Sequence, residues 1–211
     1  MASRPVLPRP RVSTSPTGCN DGTGARGDQT GLRATPAFSG YYFNVGEVGY
    51  AWLLGSPKMP GTFAVGGWGQ TGKLSGGGMK EDGAQGFYTF ASPRLWLRKP
   101  GVDNSGVTSF FQFGMNESKT MIVNKYVGGG FTGFGLVPKR GYDSVGIGAG
   151  VSRLNENLGF RRSEALLQGY YQMHLVGDTY FQPTVTYVPN PGQSPSLSAA
   201  TAITMRVTFL F

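Results

Sequence analysis

Within the final eleven residues, TAITMRVTFLF, apolar and polar side chains alternate from Ile203 to Phe209. In an extended chain Ile203, Met205, Val207, Phe209 and Phe211 share one side, and Thr204, Arg206 and Thr208 share the other. The same period of two recurs upstream. SEALLQGYYQMHL sets Ala165, Leu167, Tyr171, Met173 and Leu175 against Glu164, Gln168, Tyr170, Gln172 and His174. TYFQPTVTY sets Phe181, Val185 and Tyr187 against Gln182, Thr184 and Thr186, and VTSFFQFGMN sets Val107, Phe111, Phe113 and Met115 against Thr108, Gln112 and Asn116. Segments 39–53, 61–73, 86–99, 106–116, 125–138, 143–153, 163–175, 179–188 and 198–211 read as strands separated by Gly, Pro, Asn and Asp clusters, about nine in all. Several are longer than the five or six residues usual in soluble folds. They suit the roughly 9–11 residues that a tilted strand needs to cross a bilayer.

A sheet with one oily and one wet face can be the wall of a barrel in lipid or half of a soluble sandwich. Composition favours the barrel. Only 14% of the residues are charged, against roughly 25% in a typical soluble domain, while 35 glycines, 14 phenylalanines and 10 tyrosines are present. No run of 18 apolar residues exists that could form a spanning helix, and none is needed when lipid-facing and lumen-facing residues alternate. The expected fold class is therefore all-β: an antiparallel transmembrane β-barrel.

The other chemistries are thin. The net charge of +8 comes from cations scattered along the chain, whereas nucleic-acid binding needs them clustered; no nucleic-acid partner is expected. Cys19 is the sole cysteine and His174 the sole histidine, so neither a disulfide framework nor a thiolate metal site can form; no metal and no cofactor is expected. As a catalytic base His174 would need a nucleophile and an orienting acid, and no nucleophile elbow is visible. GWGQTGKL, from Gly67 to Leu74, imitates a phosphate-binding loop. It has Leu74 where a Mg²⁺-binding Ser or Thr belongs, and SGGGMKEDG follows where a helix must start. GGGFTG and GIGAG lack such a helix too. Residues 1–36 are rich in Pro, Arg and Gly without periodicity, contain no apolar core of an export signal, and read as a disordered leader ahead of a barrel segment, 37–211; the RGD at 26–28 is a chance match.

Strand phase divides the side chains. The water-facing set expected to line a lumen and meet solute is Arg94, Arg98, Gln112, Gln168, Tyr170, Gln172, Thr184, Thr186 and Arg206. The lipid-facing set is Phe111, Phe113, Leu167, Tyr171, Phe181, Tyr187, Phe209 and Phe211. Arg94, Arg98 and Arg206 could equally pair with carboxylates such as Glu47 or Glu164. The first strand has an unresolved phase, since orienting Glu47 to water takes Tyr41 and Phe43 with it.

From Gly61 to Phe211 the chain also resembles the C-terminal part of the carbohydrate-selective outer-membrane porins, the OprB family. The resemblance rests on PGTFAVGGW, GFYTFASPRLWLR, SGVTSFFQFG, YVGGGFTGFGLVPKRGYDSVGIG, LLQGYYQMHL, YFQPTVTYVPNPG and the closing TMRVTFLF. It implies a barrel of about sixteen strands, of which this chain supplies the C-terminal half. It further implies an outer-membrane location, passive diffusion of small sugars without enzymatic chemistry, and insertion by the barrel-assembly machinery, which reads a last strand ending in Phe, here Phe211. Family members are about twice as long. A shortened, non-conducting fragment is the alternative this raises; an outer-membrane barrel enzyme and a soluble β-rich binding module are the others weighed, and homo-oligomerisation is left open.

Overall fold

The structure is a computed structural model that describes residues 12–21, 42–192 and 194–210. It contains ten strands: β1 (Val12–Asp21), β2 (Tyr42–Leu54), β3 (Met59–Gly76), β4 (Met79–Leu97), β5 (Gly106–Asn116), β6 (Val123–Phe134), β7 (Ser144–Leu154), β8 (Ser163–His174), β9 (Thr179–Val188) and β10 (Ala200–Phe209). Each pairs antiparallel with its sequence neighbours, in the order β1 to β10, in a single sheet. Among the described residues β1 and β10 do not pair, so the sheet has two open edges. All nine expected segments are strands.

The tenth strand corrects the reading of the leader. Val12–Asp21 lies within the stretch expected to be irregular, yet it pairs with β2. Its proline and glycine hide a Ser/Thr-rich stretch, and the register shift between Ser15 and Gly18 falls across Pro16. A proline has no N–H to give a ladder and is tolerated at such a bulge or on an edge strand. The remainder of the leader, together with Tyr41 and Phe211, lies outside the described residues.

Local chemistry sets the strand ends. β3 and β4 meet through Gly77 and Gly78, both at positive φ (56° and 80°), the backbone that a two-residue hairpin turn demands. The loop between β5 and β6 is clamped onto this hairpin by Glu81. Its carboxylate accepts from the Ser118 hydroxyl, the Thr120 hydroxyl at 2.6 Å and the Lys119 N–H at 2.9 Å. The GWGQTGKL stretch runs through β3, which removes the helix N-terminus a phosphate loop requires.

The described residues enclose no dry interior. Among the described residues Ala64 and Leu154 are the only buried hydrophobic ones, and no large side chain is fully enclosed. A soluble domain of this size would enclose many Leu, Ile, Val and Phe. Here Ile203 and Met205 are each 71% exposed and Ile147 65%. The register shows that they belong to one continuous surface.

Candidate functional site

Cross-strand partners share a face, so the register sorts every side chain. One face carries the row Tyr50, Phe63, Ala91, Phe111, Gly129, Ala149, Leu167, Tyr187 and Thr201. Phe113, Val127, Val151 and Ala165 form the next row, and Phe181 pairs with Val207. Tyr171, which follows Tyr170 in β8, and Phe209 fall on this apolar face too. The opposite face carries Arg94, Thr108, Thr132, Gly146, Tyr170, Thr184 and Thr204 in one row across seven strands. A second polar row is Glu47, Gly66, Tyr88, Gly114, Tyr126, Ser152 and Glu164.

The polar face gathers most of the residues expected there. Gln168 donates from Nε2 to Thr186 Oγ1 at 2.9 Å, and Gln172 Oε1 accepts from Ser144 at 3.2 Å. Arg206 lies opposite Gln182. Gln112 pairs with Phe90 and Gly128 and is exposed. Thr184 is 8% exposed and accepts from Gln182 Nε2 at 3.2 Å, which places it in the wall beneath the surface.

Arg98 departs from the expected phase. A register shift between Arg94 and Trp96 admits Leu95 as an extra residue, and a bulge of this kind reverses the side-chain phase beyond it. Arg98 lies past the end of β4, where its guanidinium donates to the carbonyls of Gly135 (3.5 Å) and Leu136 (3.3 Å). It braces a connection at the rim. Arg94 stays on the polar face, 5.2 Å above the centre of the Phe134 ring. Its Nη1 is shielded and has no hydrogen-bond partner among the described residues. The two carboxylates weighed as partners for these arginines are engaged elsewhere: Glu47 accepts from the Tyr88 hydroxyl at 2.8 Å and Glu164 from the Gly192 N–H at 2.6 Å. The phase of β2 is thereby settled, with Glu47 and Phe43 on the polar face and Phe43 stacked on Trp68 at 6.0 Å.

Apart from Tyr170, the reading from sequence missed the rings of this face. Tyr88, Phe110, Tyr126 and Tyr170 lie down on glycines of neighbouring strands. A Cβ added at Gly66 would strike Tyr88, at Gly128 or Gly150 Tyr126, at Gly130 or Gly148 Phe110, and at Gly146 Tyr170. Glycine is required where a ring takes the room of a Cβ. Tyr170 also shares a hydrogen bond of 3.1 Å with Thr132. Parity alone could have found Tyr88 and Phe90, which stand six and four residues from Arg94 along β4, and Phe110, two before Gln112.

At one rim, Asp143 accepts from Arg140 Nε at 2.7 Å, from the Tyr171 hydroxyl, and from the His174 N–H at 2.9 Å. His174 sits between the rings of Tyr142 and Tyr180, each 5.2 Å away, with Nε2 against the Gly177 carbonyl. Its contacts hold a turn. Burial on its own would raise the Asp143 carboxyl, but the bonds from Tyr171, His174 and Arg140 outweigh it and hold the group below the ordinary aspartate range. A carboxyl depressed in the folded state contributes stability above its unfolded value, about 3.9, and loses it as pH falls through the lower folded value. Asp143→Ala is expected to cost about 1–3 kcal/mol at neutral pH. The gap from wild type should narrow below about pH 4, as read from urea midpoints measured across pH.

Residues 12–211 match the family described as carbohydrate-selective porin, OprB family. The fold matches the high-pH structure of Pseudomonas putida OprB with a TM-score of 0.73 at 16% identity, over 84% of this chain and 50% of that one. The chain thus spans about half the length of that structure. No curated protein matches it. Because the family match takes in all ten strands, including the first, the chain belongs to the OprB family of carbohydrate-selective porins, which are outer-membrane proteins and not enzymes.

Proposed function

We infer that the polar face lines a lumen through which small sugars diffuse and that the apolar face meets outer-membrane lipid. The observation that supports this most is the row from Arg94 to Thr204, in which polar groups or glycine occupy every position across seven adjacent strands. Hydroxyls of Thr108, Thr132 and Tyr170 offer donors and acceptors to a sugar, Arg94 adds a charged donor, and the half-buried rings offer apolar faces to the C–H side of a pyranose. Selectivity of this kind comes from lining groups and bore, with no bond made or broken.

Closure takes strands beyond the ten described. An open edge in hydrocarbon leaves backbone groups unpaired at several kcal/mol each, and both β1 and β10 present such edges. The C-terminal strand with Phe211 is the segment we assign to recognition by the barrel-assembly machinery. The leader residues outside β1 are proposed to contribute no wall, and association of several barrels would use the apolar face.

The test is glucose-dependent block of ion current through the closed porin carrying this sequence in planar bilayers. Hydrogen bonds to a charged donor contribute about 1.5–3 kcal/mol, so Arg94→Ala should weaken glucose block by about tenfold or more while ion conductance is kept or raised. Unchanged block would remove Arg94 from the lining. Conductance that glucose never reduces in the wild type would remove the sugar reading.

A further inference from the structure

On the apolar face, the end of the band is marked by two cations placed side by side. Lys125 of β6 and Arg153 of β7 are register partners, next to the pair Val127 and Val151, and both are exposed. Like charges directly opposite one another in an antiparallel pair are destabilising. Nothing among the described residues relieves this. Among the described residues neither cation makes an ion pair; Glu156 on the same rim holds Arg162 at 3.3 Å, and Glu117 pairs with neither.

The position of Lys125 is built. A register shift between Val123 and Lys125 leaves Asn124 as the extra residue. The bulge is fastened by Asn124 Nδ2 to the Ser118 carbonyl at 2.8 Å and by Asn116 Nδ2 to the Val123 carbonyl at 2.7 Å. The bulge ends the regular ladder just beyond Lys125, whose place on the lipid side opposite Arg153 follows from the unbroken register with Val127 and Val151.

Depth agrees with the chemistry. From Arg153 back to Asp143, at the opposite rim, is ten residues along β7. At about 3.3 Å per residue that is about 33 Å along the strand, and a tilt of about 40° reduces it to about 25 Å along the membrane normal, the height of a barrel's apolar band. One end of this span carries the Asp143, Arg140, Tyr171 and His174 cluster, the other the Lys125 and Arg153 pair. Both fall at the level of lipid headgroups.

We propose that Lys125 and Arg153 form a binding site for the phosphate of an anionic lipid headgroup, which bridges the two cations at the edge of the apolar band. The proposal rests on the apolar face meeting lipid and is independent of what crosses the lumen. Arg supplies a planar pair of donors to phosphate oxygens and Lys a point charge, while the acyl chains lie along Val127, Val151 and the residues beneath them.

The test is native mass spectrometry, in nonionic detergent, of the closed porin carrying this sequence, titrated with phosphatidylglycerol and, separately, phosphatidylcholine. The wild type should retain phosphatidylglycerol about tenfold or more tightly than K125Q/R153Q, and K125R/R153K should bind like the wild type. Heat-modifiable migration verifies that each variant has folded, and the single changes K125Q and R153Q, each expected to lose part of the affinity, stand in should the double variant fail. Equal retention by wild type and K125Q/R153Q overturns the site. Displacement of the lipid by millimolar inorganic phosphate would make it a site for free anions, and equal retention of phosphatidylcholine would make it nonspecific; either overturns the lipid assignment. Glucose block of current is expected to be the same in all these variants, so loss of the lipid site and loss of the sugar reading are separately visible.

Discussion

Ile147→Arg is expected to be the most damaging single surface change in the molecule. Ile147 is 65% exposed, at the centre of a row with Phe131, Gly169, Val185 and Ile203. In a water-soluble protein an exposed isoleucine replaced by arginine would be neutral, within about 0.5 kcal/mol. At the middle of a lipid-facing band the same change costs about 2–4 kcal/mol. The opposite face supplies the control: Thr108→Lys, in the row of Arg94 and Thr132, should change stability little and reduce cation flux. Urea unfolding of lipid-inserted protein separates the two, with Ile147→Arg shifted to a far lower midpoint and Thr108→Lys close to wild type. Equal midpoints would mean that the apolar face is not in hydrocarbon.

Much of this surface was legible from the chain alone because a strand has a period of two and nothing else in the sequence has to be known to read it. β8, β9 and β10 show it best: apart from residues such as Leu166 and Ala202, which fall on the polar face, their apolar and polar residues alternate, and the face of Leu167, Tyr187 and Ile203 follows from counting. The method fails where counting is interrupted. Leu95 is one residue too many in β4, so Arg98, spaced four from Arg94, leaves the face that spacing gave it. In β2 the parity is intact but ambiguous, because aromatic residues occur on both sides, and only the hydrogen bond from Tyr88 to Glu47, two strands away in β4, decides it. β1 was hidden for a different reason. Its proline and glycine read as breakers, and what makes it a strand is the partner β2 and a bulge that absorbs Pro16.

The polar face was the least legible part, since hydrophobicity was used to assign faces and that face holds many rings. Half-buried Phe110 counts as oily in a sequence, although its parity places it beside Thr108 and Gln112. What allows an aromatic wall to coexist with a polar one is the run of glycines in GGGFTG and GIGAG. They resemble nucleotide-binding loops in one dimension and serve as ring beds in three. Gly192 in YVPNPG has a comparable reason: an added Cβ would meet Leu154 and Glu164, and the Gly192 N–H is held by Glu164.

The ring beds yield the second large effect, a graded set of glycine substitutions that composition cannot distinguish. At Gly130 an added Cβ would press on the Ile147 carbonyl oxygen and lie 2.7 Å from both Gly148 Cα and Phe110 Cε1. Backbone on the neighbouring strand cannot step aside as a side chain can, so Gly130→Ala should reach or exceed the upper end of the roughly 1–3 kcal/mol cost of overpacking. At Gly146 the obstruction is the Tyr170 ring alone. That ring can pivot away from the wall, which breaks its 3.1 Å bond to Thr132 at about 1 kcal/mol and pushes it into the lumen. Gly146→Ala should therefore lower ion conductance and alter glucose block with only modest loss of stability. At Gly69 nothing stands within 4 Å of the added atom, and Gly69→Ala should be neutral or slightly stabilising, because alanine gives up less backbone entropy than glycine. Urea midpoints in the order Gly69→Ala, Gly146→Ala, Gly130→Ala, with a conductance change confined to Gly146→Ala among folded variants, would be the mark of rings resting on glycines. Three equal midpoints would show that these glycines serve only strand flexibility, and the aromatic lining would lose its physical basis.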